Sequence, residues 1–248
     1  MLGIVGGSGL YSLGDDFRLY EQLSRETPYG ETSADPLLGH WQDTELVFLP
    51  RHGAGHSVPP HRVNYRANLW ALHDAGVRRV IAVNAVGAID EGLVPGSLVV
   101  PRQLVDYSSG REHSYFDGSD GRVHHVDFSE PYSASLRQGL LRAGAQLGLD
   151  IFDGGTYGCT NGPRFESAAE IERMRRDGCT LVGMTGMPEA GLARELEIDY
   201  ACLALVVNPA AGIGEAPISM EEIMLILERG IDRIRPLLLL AAARLIEE

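Results

Sequence analysis

The stretch VIAVNAVGAI, Val80 to Ile89, decides the fold class. Its first four residues form an apolar run rich in β-branched side chains, as in a strand buried on both faces. Asn84-Ala85-Val86-Gly87 reads as the exit from that strand. Just before it, residues 63–75 carry apolar side chains at helical spacing and stop at Gly76, a C-terminal cap. Just after it, Pro95-Gly96 turns the chain into a strand at Leu98–Val100. The alternation continues outward in both directions. Residues 2–5, 46–49, 151–157, 181–184 and 200–207 read as strands, and residues 133–147 as a helix. Capping boxes at Ser167-Ala-Ala-Glu170 and Ser219-Met-Glu-Glu222 open two more helices, the first running through Arg176. Another begins near Pro188 and runs to about Leu196, and Pro236 should kink or interrupt the last. Strands alternating with helices predict an α/β chain with a largely parallel or mixed central sheet.

The 248 residues are 44% hydrophobic and 22% charged, enough for one sizeable core. No repeat, linker or composition break divides them, so one domain over 1–248 is expected. The formal net charge of −13 argues against nucleic acid or an anionic membrane as partner. Cys159, Cys179 and Cys202 have no metal-binding spacing, and a sparse odd set fits a reducing compartment. There is no basic region followed by an apolar stretch at the N-terminus and no apolar run long enough to span a bilayer. A soluble cytoplasmic protein is expected. The stretch 106–131 lacks periodicity, and a loop of that length usually has a function or is disordered.

Three strand exits carry groups suited to an anion. Gly6-Gly7-Ser8-Gly9 reads either as a tight turn or as a nest of backbone N–H groups with a serine hydroxyl added. It lacks the third glycine of a dinucleotide fingerprint, since Ser12 stands there. Arg51, after the strand at 46–49, has the guanidinium geometry to clamp phosphate through two N–H groups, or is a surface arginine. Asn84 is the third. His52 and His56 are four apart, but Gly53 and Gly55 between them argue against a helical metal pair. No metal is expected.

With these residues in place, the chain resembles the trimeric purine nucleoside phosphorylases, in particular the methylthioadenosine phosphorylase branch. The resemblance is carried by MLGIVGGSGL (1–10), TPYG (27–30), RHGAGH with VNYRANLWAL and NAVGAI (within 51–89), GPRFE (162–166) and MTGMPE (184–189). It implies a sandwich with a mixed central β-sheet flanked by helices, a homotrimer, and no metal or organic cofactor. It implies that Ser8, Arg51, His52, Asn84, Ala85 and Thr185 bind phosphate, that Phe165 packs on the base and that Met184 packs on the ribose. It further implies that His125 reaches a neighbouring subunit's site.

Two residues depart from the adenine-specific branch. Glu166 stands where those members place a small hydroxyl residue, and Asn208 stands where they place aspartate. A 6-oxopurine carries a proton on N1, which an ionised Glu166 accepts, whereas adenine presents a lone pair that a carboxylate repels. The Asn208 amide both donates, to O6, and accepts, from a protonated N7. Each also has a plain structural reading, as an acid before a helix and as an Asn-Pro turn. At the ribose 5′ end, Ala216-Pro217-Ile218-Ser219-Met220 offers an apolar Met220 in place of a histidine. That suits a methylthio group, although methionine is also ordinary core filler. The combination points to phosphorolysis of 5′-methylthioinosine, with Asn208, Glu166, Arg51 and His52 carrying the chemistry. The alternatives are methylthioadenosine phosphorolysis, inosine or guanosine phosphorolysis, a nucleotide-dependent oxidoreductase, and a catalytically silent purine-binding protein.

Overall fold

Side chains that alternate along the central strands are apolar on both sides, and the chain covers both sides with helices. The computed structural model describes residues 1–119, 121–214 and 218–247. The strands are β1 (Leu2–Gly6), β2 (Phe17–Gln22), β3 (Glu26–Thr27), β4 (Gly30–Glu31), β5 (Leu37–Trp41), β6 (Thr44–Pro50), β7 (Arg79–Ala88), β8 (Leu98–Val100), β9 (Gln103–Asp106), β10 (Ile151–Asp153), β11 (Thr156–Cys159), β12 (Leu181–Gly183) and β13 (Asp199–Pro209). The helices are α1 (Tyr65–Asp74), α2 (Ala134–Gln146), α3 (Ala168–Arg176), α4 (Gly186–Glu195) and α5 (Met220–Glu247). On one face, Leu2 and Ile4 of β1, Ile81 and Val83 of β7 and Leu203 and Leu205 of β13 pack on α2 and α5 through Leu136, Leu140, Ile234 and Leu237. On the other, Val5, Val80, Ala82, Cys202 and Ala204 pack on α1 and α4 through Leu69, Leu72, Ala190 and Leu192.

The main sheet runs β10-β8-β13-β7-β1-β6-β5-β2. Its four middle strands, β13, β7, β1 and β6, are mutually parallel. β5 and β2 add antiparallel at one edge, and β8 lies antiparallel to β13. β12 pairs antiparallel with the far end of β7 and leads to β11 and β9. This is the mixed sheet that the alternation allows, flanked by helices as the resemblance implies. It sets the carboxyl ends of four parallel strands side by side, where open α/β sheets bind ligands.

Three local expectations need correction. β7 does not end at Val83: it pairs with β13 through Ala204, Leu205 and Val206 and reaches Ala88, so Asn84 lies inside a strand. Residues 151–157 form two strands, because Gly154 and Gly155 break the run with φ of 124° and 86°. α5 is not interrupted at Pro236. Pro236 and Asp232, whose carbonyl loses its helical partner there, are both exposed. The sequence also carries no clear strand signal for β2, an exposed edge strand with a charged, non-alternating sequence.

Candidate active site

A cavity of about 590 Å³ opens at the carboxyl ends of the parallel strands. At one end sits the turn after β1, where Leu10 N–H donates to Gly7 O at 3.1 Å and Ser8 lines the cavity. The loop is a tight turn that faces the cavity. Gly7 is required by close approach: a Cβ there would lie 2.3 Å from Val83 O and 3.0 Å from Arg51 Nη1.

Arg51 follows β6 and is 0% exposed to solvent. Its Nε and Nη2 donate to the two Glu189 carboxylate oxygens at 2.6 and 2.7 Å, and Nη1 donates to Val83 O at 2.9 Å. Burial works to lower the guanidinium pKa, but the Glu189 carboxylate outweighs it and raises the value, so Arg51 stays charged. The side edge of the guanidinium, expected to be free for phosphate, is therefore taken by Glu189. One hydrogen on each Nη has no partner among the described residues. Tyr200 OH donates to the same carboxylate at 2.8 Å.

His52 is also buried and lines the cavity. Burial, then the neighbouring Arg51 charge, lowers its pKa to about 4, so the ring is neutral near pH 7. Its Nδ1 lies 2.9 Å from Val58 O, and a carbonyl partner requires a donor there. Nε2 is then an acceptor. It suits the P–O–H of hydrogen phosphate rather than a bare phosphate oxygen, which narrows the role expected for His52.

Asn84 does not line the cavity. It lies behind Thr185: Nδ2 donates to Thr185 Oγ1 at 2.7 Å, and Cys202 Sγ donates to Asn84 Oδ1 at 3.3 Å. With its oxygen lone pair engaged from behind, the buried Thr185 hydroxyl keeps its own hydrogen for an anion. Thr185 and Ala85 do line the cavity.

At a second end, Phe165, Glu166, Met184 and Asn208 converge. Phe165 is 40% exposed, so its ring is open to stack on a base. Gly162, at φ 58°, lets the GPRFE loop pass Met184; a Cβ there would lie 2.3 Å from Met184 Sδ. Glu166 Oε1 accepts from Thr160 Oγ1 at 2.6 Å. The expected capping box follows, with both reciprocal Ser167–Glu170 bonds formed. β13 bulges between Val206 and Asn208, and the bulge re-aims Asn208 into the cavity. Asn208 Nδ2 donates to Pro209 O at 2.6 Å, which leaves a second amide hydrogen and Oδ1 for a ligand.

The third end is apolar. Met220, Ile223, Met224 and Leu227 of α5 line it with Tyr11. Of the segment read for the 5′ end, Ala216 and Pro217 lie outside the described residues. His125, on the exposed loop after β9, does not line this chain's cavity. Among the described residues, no group of His, Cys, Asp or Glu is arranged to hold a metal.

Several residues that build the site escaped sequence reading: Glu189, Tyr200, Cys202, Thr160 and Arg111. Arg111 is the most connected. Its Nη2 donates to Thr160 O, Asn161 O and Met184 O at 3.2, 3.0 and 2.9 Å, and its Nη1 donates to Met187 O. It thus braces the loop before Glu166 against the loop holding Met184 and Thr185. The one available signal was an arginine within a long, otherwise unpatterned loop.

Residues 2–243 match the model of the Phosphorylase superfamily. The chain belongs to that superfamily. A probable S-methyl-5′-thioinosine phosphorylase of Pseudomonas syringae pv. tomato is 51% identical over 232 residues, covering 94% of this chain and 94% of the relative. A 6-oxopurine nucleoside phosphorylase of Pyrococcus furiosus is 44% identical, covering 97% and 91%. Among solved structures, a methylthioadenosine phosphorylase from Schistosoma mansoni in complex with adenine superposes with a TM-score of 0.93 at 33% identity, covering 100% of this phosphorylase and 92% of that chain.

Proposed function

We propose that this phosphorylase splits 5′-methylthioinosine with inorganic phosphate, giving hypoxanthine and 5-methylthioribose 1-phosphate. The observation that carries the reading is one cavity with three chemically distinct ends. Ser8, Arg51, His52, Ala85 and Thr185 form an anion end, Glu166 and Asn208 a base end, and Met220 with Ile223 and Met224 an apolar end. The names of the Pseudomonas and Pyrococcus relatives, thioinosine and 6-oxopurine phosphorylases, support the same choice of base.

In this reading the C1′–N9 bond breaks while Glu166 and Asn208 hold the purine. Asn208 stabilises the departing base at N7 and O6. Hydrogen phosphate, held on the opposite side, forms the C1′–O bond, and its proton balances the one the purine gains. The rate gain comes from positioning and from fixed dipoles aimed at developing charge. Asn84 contributes by holding Thr185, and Phe165 and Met184 flank the base and ribose. The reaction calls for no metal and no organic cofactor. We further propose a homotrimer in which His125 completes a neighbour's site, and a cytoplasmic location. The exposure of Met220 (57%) and of Phe165 is consistent with a neighbour covering the site. The three cysteines are free, and no described helix is long and apolar enough to cross a membrane.

Base release from 5′-methylthioinosine is expected to require phosphate, followed by absorbance with and without it. Equal release in phosphate-free buffer contradicts the reading and indicates hydrolysis. Sedimentation of the same preparation is expected to give a trimer, and a fully active monomer removes the role given to His125.

A further inference from the structure

We infer that Thr160 is a positioning residue for base selection: its hydroxyl fixes Glu166 so that one carboxylate oxygen is presented to the purine. The inference rests on the reading of Glu166 as the group that meets N1. Thr160 is anchored through both backbone groups. Its N–H donates to Gly183 O at 2.9 Å, and its carbonyl accepts from Arg111 Nη2 at 3.2 Å. The side chain therefore stands on a backbone with little freedom, and its single hydroxyl hydrogen goes to Glu166 Oε1 at 2.6 Å. Hydrogen bonds to an ionised acceptor are among the stronger ones.

The need for such a hold comes from the surroundings of Glu166. Its side chain forms a wall shared by two cavities, the nucleoside cavity and a second one of about 430 Å³. The second is lined by Thr160 and also by Asp106, Tyr107 and Arg164. The Arg164 guanidinium there is paired with Glu170. A carboxylate on such a boundary has two places to turn. Thr160 lines only the second cavity, so its bond keeps Oε1 there and leaves Oε2 for the first. Glu166 Oε2 has no partner among the described residues. Without the hydroxyl, the carboxylate is free to withdraw from the base. That removes the acceptor a 6-oxopurine N1–H needs, and with it the repulsion that excludes a 6-aminopurine.

The test compares kcat/KM for 5′-methylthioinosine and 5′-methylthioadenosine in the full-length protein, Thr160→Val, Thr160→Ser, Glu166→Gln, Glu166→Ala and the Thr160→Val/Glu166→Ala double variant. Thr160→Val is expected to lower the thioinosine-to-thioadenosine ratio by about tenfold or more, the usual worth of a hydrogen bond to a charged group. Phosphate KM should stay within about twofold, because a loss at the base end alone leaves anion binding intact. Thr160→Ser keeps the hydroxyl and is expected to keep the ratio. In the Glu166→Ala background, where the hydroxyl has no carboxylate to hold, Thr160→Val is expected to change nothing further. An unchanged ratio in Thr160→Val alongside a collapsed ratio in Glu166→Gln overturns the role of Thr160 and leaves the reading of Glu166 standing. An unchanged ratio in Glu166→Gln overturns both. An effect of Thr160→Val that persists in the double variant, or that serine fails to rescue, also overturns the role.

Discussion

Arg51→Ala is expected to damage phosphate use and folding together. The phosphate KM should rise, or kcat fall, by at least about tenfold, because the anion end loses its one charged donor. Stability should fall by about 3–5 kcal/mol, the usual cost of stranding a buried charge. Glu189 is the charge at issue: it is 0% exposed, and without Arg51 it keeps only the Tyr200 hydroxyl. The two effects separate in a double variant, Arg51→Met with Glu189→Leu. Replacing a buried ion pair with apolar side chains of similar volume is often neutral. Urea denaturation should therefore return toward that of the parent, while phosphate use stays impaired. A double variant with the parent's phosphate KM and kcat would show that the pair is a structural brace and that the anion is held elsewhere in the cavity.

Asn208→Asp is expected to move base preference from 6-oxopurine toward 6-aminopurine nucleosides. The amide both donates and accepts, whereas an ionised carboxylate only accepts. The loss therefore falls on O6, while an exocyclic amino group gains a partner. Sites built around a specific buried hydrogen bond discriminate by ~10⁴ or more, far beyond what apolar contacts manage. The size of the swing depends on Asn208 Oδ1 and the second Nδ2 hydrogen, since the first is held by Pro209 O. kcat/KM for the two methylthionucleosides reads the change. If the variant keeps the parent's preference, Asn208 is not a base reader and Glu166 carries the selection alone.

Local signals predicted the strands that build the middle of the sheet and pointed to Ser8 and Arg51, whereas His52, Ala85, Thr185, Phe165 and Met184 came from the resemblance. Ser8, Arg51 and Thr185 follow strands whose apolar runs are plain in sequence, and the glycines around Ser8 mark a turn whatever its use. The partners behind them were not legible. Glu189 lies 138 residues from Arg51, and Cys202 lies 118 from Asn84. Nothing local in a sequence announces that such residues meet; the parallel register of β7 against β13 brings the second pair together. Asn84 was misplaced for the same reason. Read alone, Asn-Ala-Val-Gly is a strand exit, but a long partner strand extends the pairing and turns the side chain toward Thr185. The neutral state of His52 follows from burial beside Arg51, and its acceptor nitrogen from a contact with Val58 that adjacency alone does not reveal.

The central claim is a joint one about base and 5′ substituent, so it is tested by ranking 5′-methylthioinosine, 5′-methylthioadenosine and inosine by kcat/KM at one phosphate concentration. The account predicts 5′-methylthioinosine first. Its margin over methylthioadenosine should be wide, because a carboxylate at N1 and an amide at O6 oppose the amino base. Its margin over inosine should be smaller, since apolar discrimination at Met220 and its neighbours is worth only ~1–3 kcal/mol. Methylthioadenosine ranking first would contradict the roles given to Glu166 and Asn208, and inosine ranking first would reduce Met220 to a packing residue.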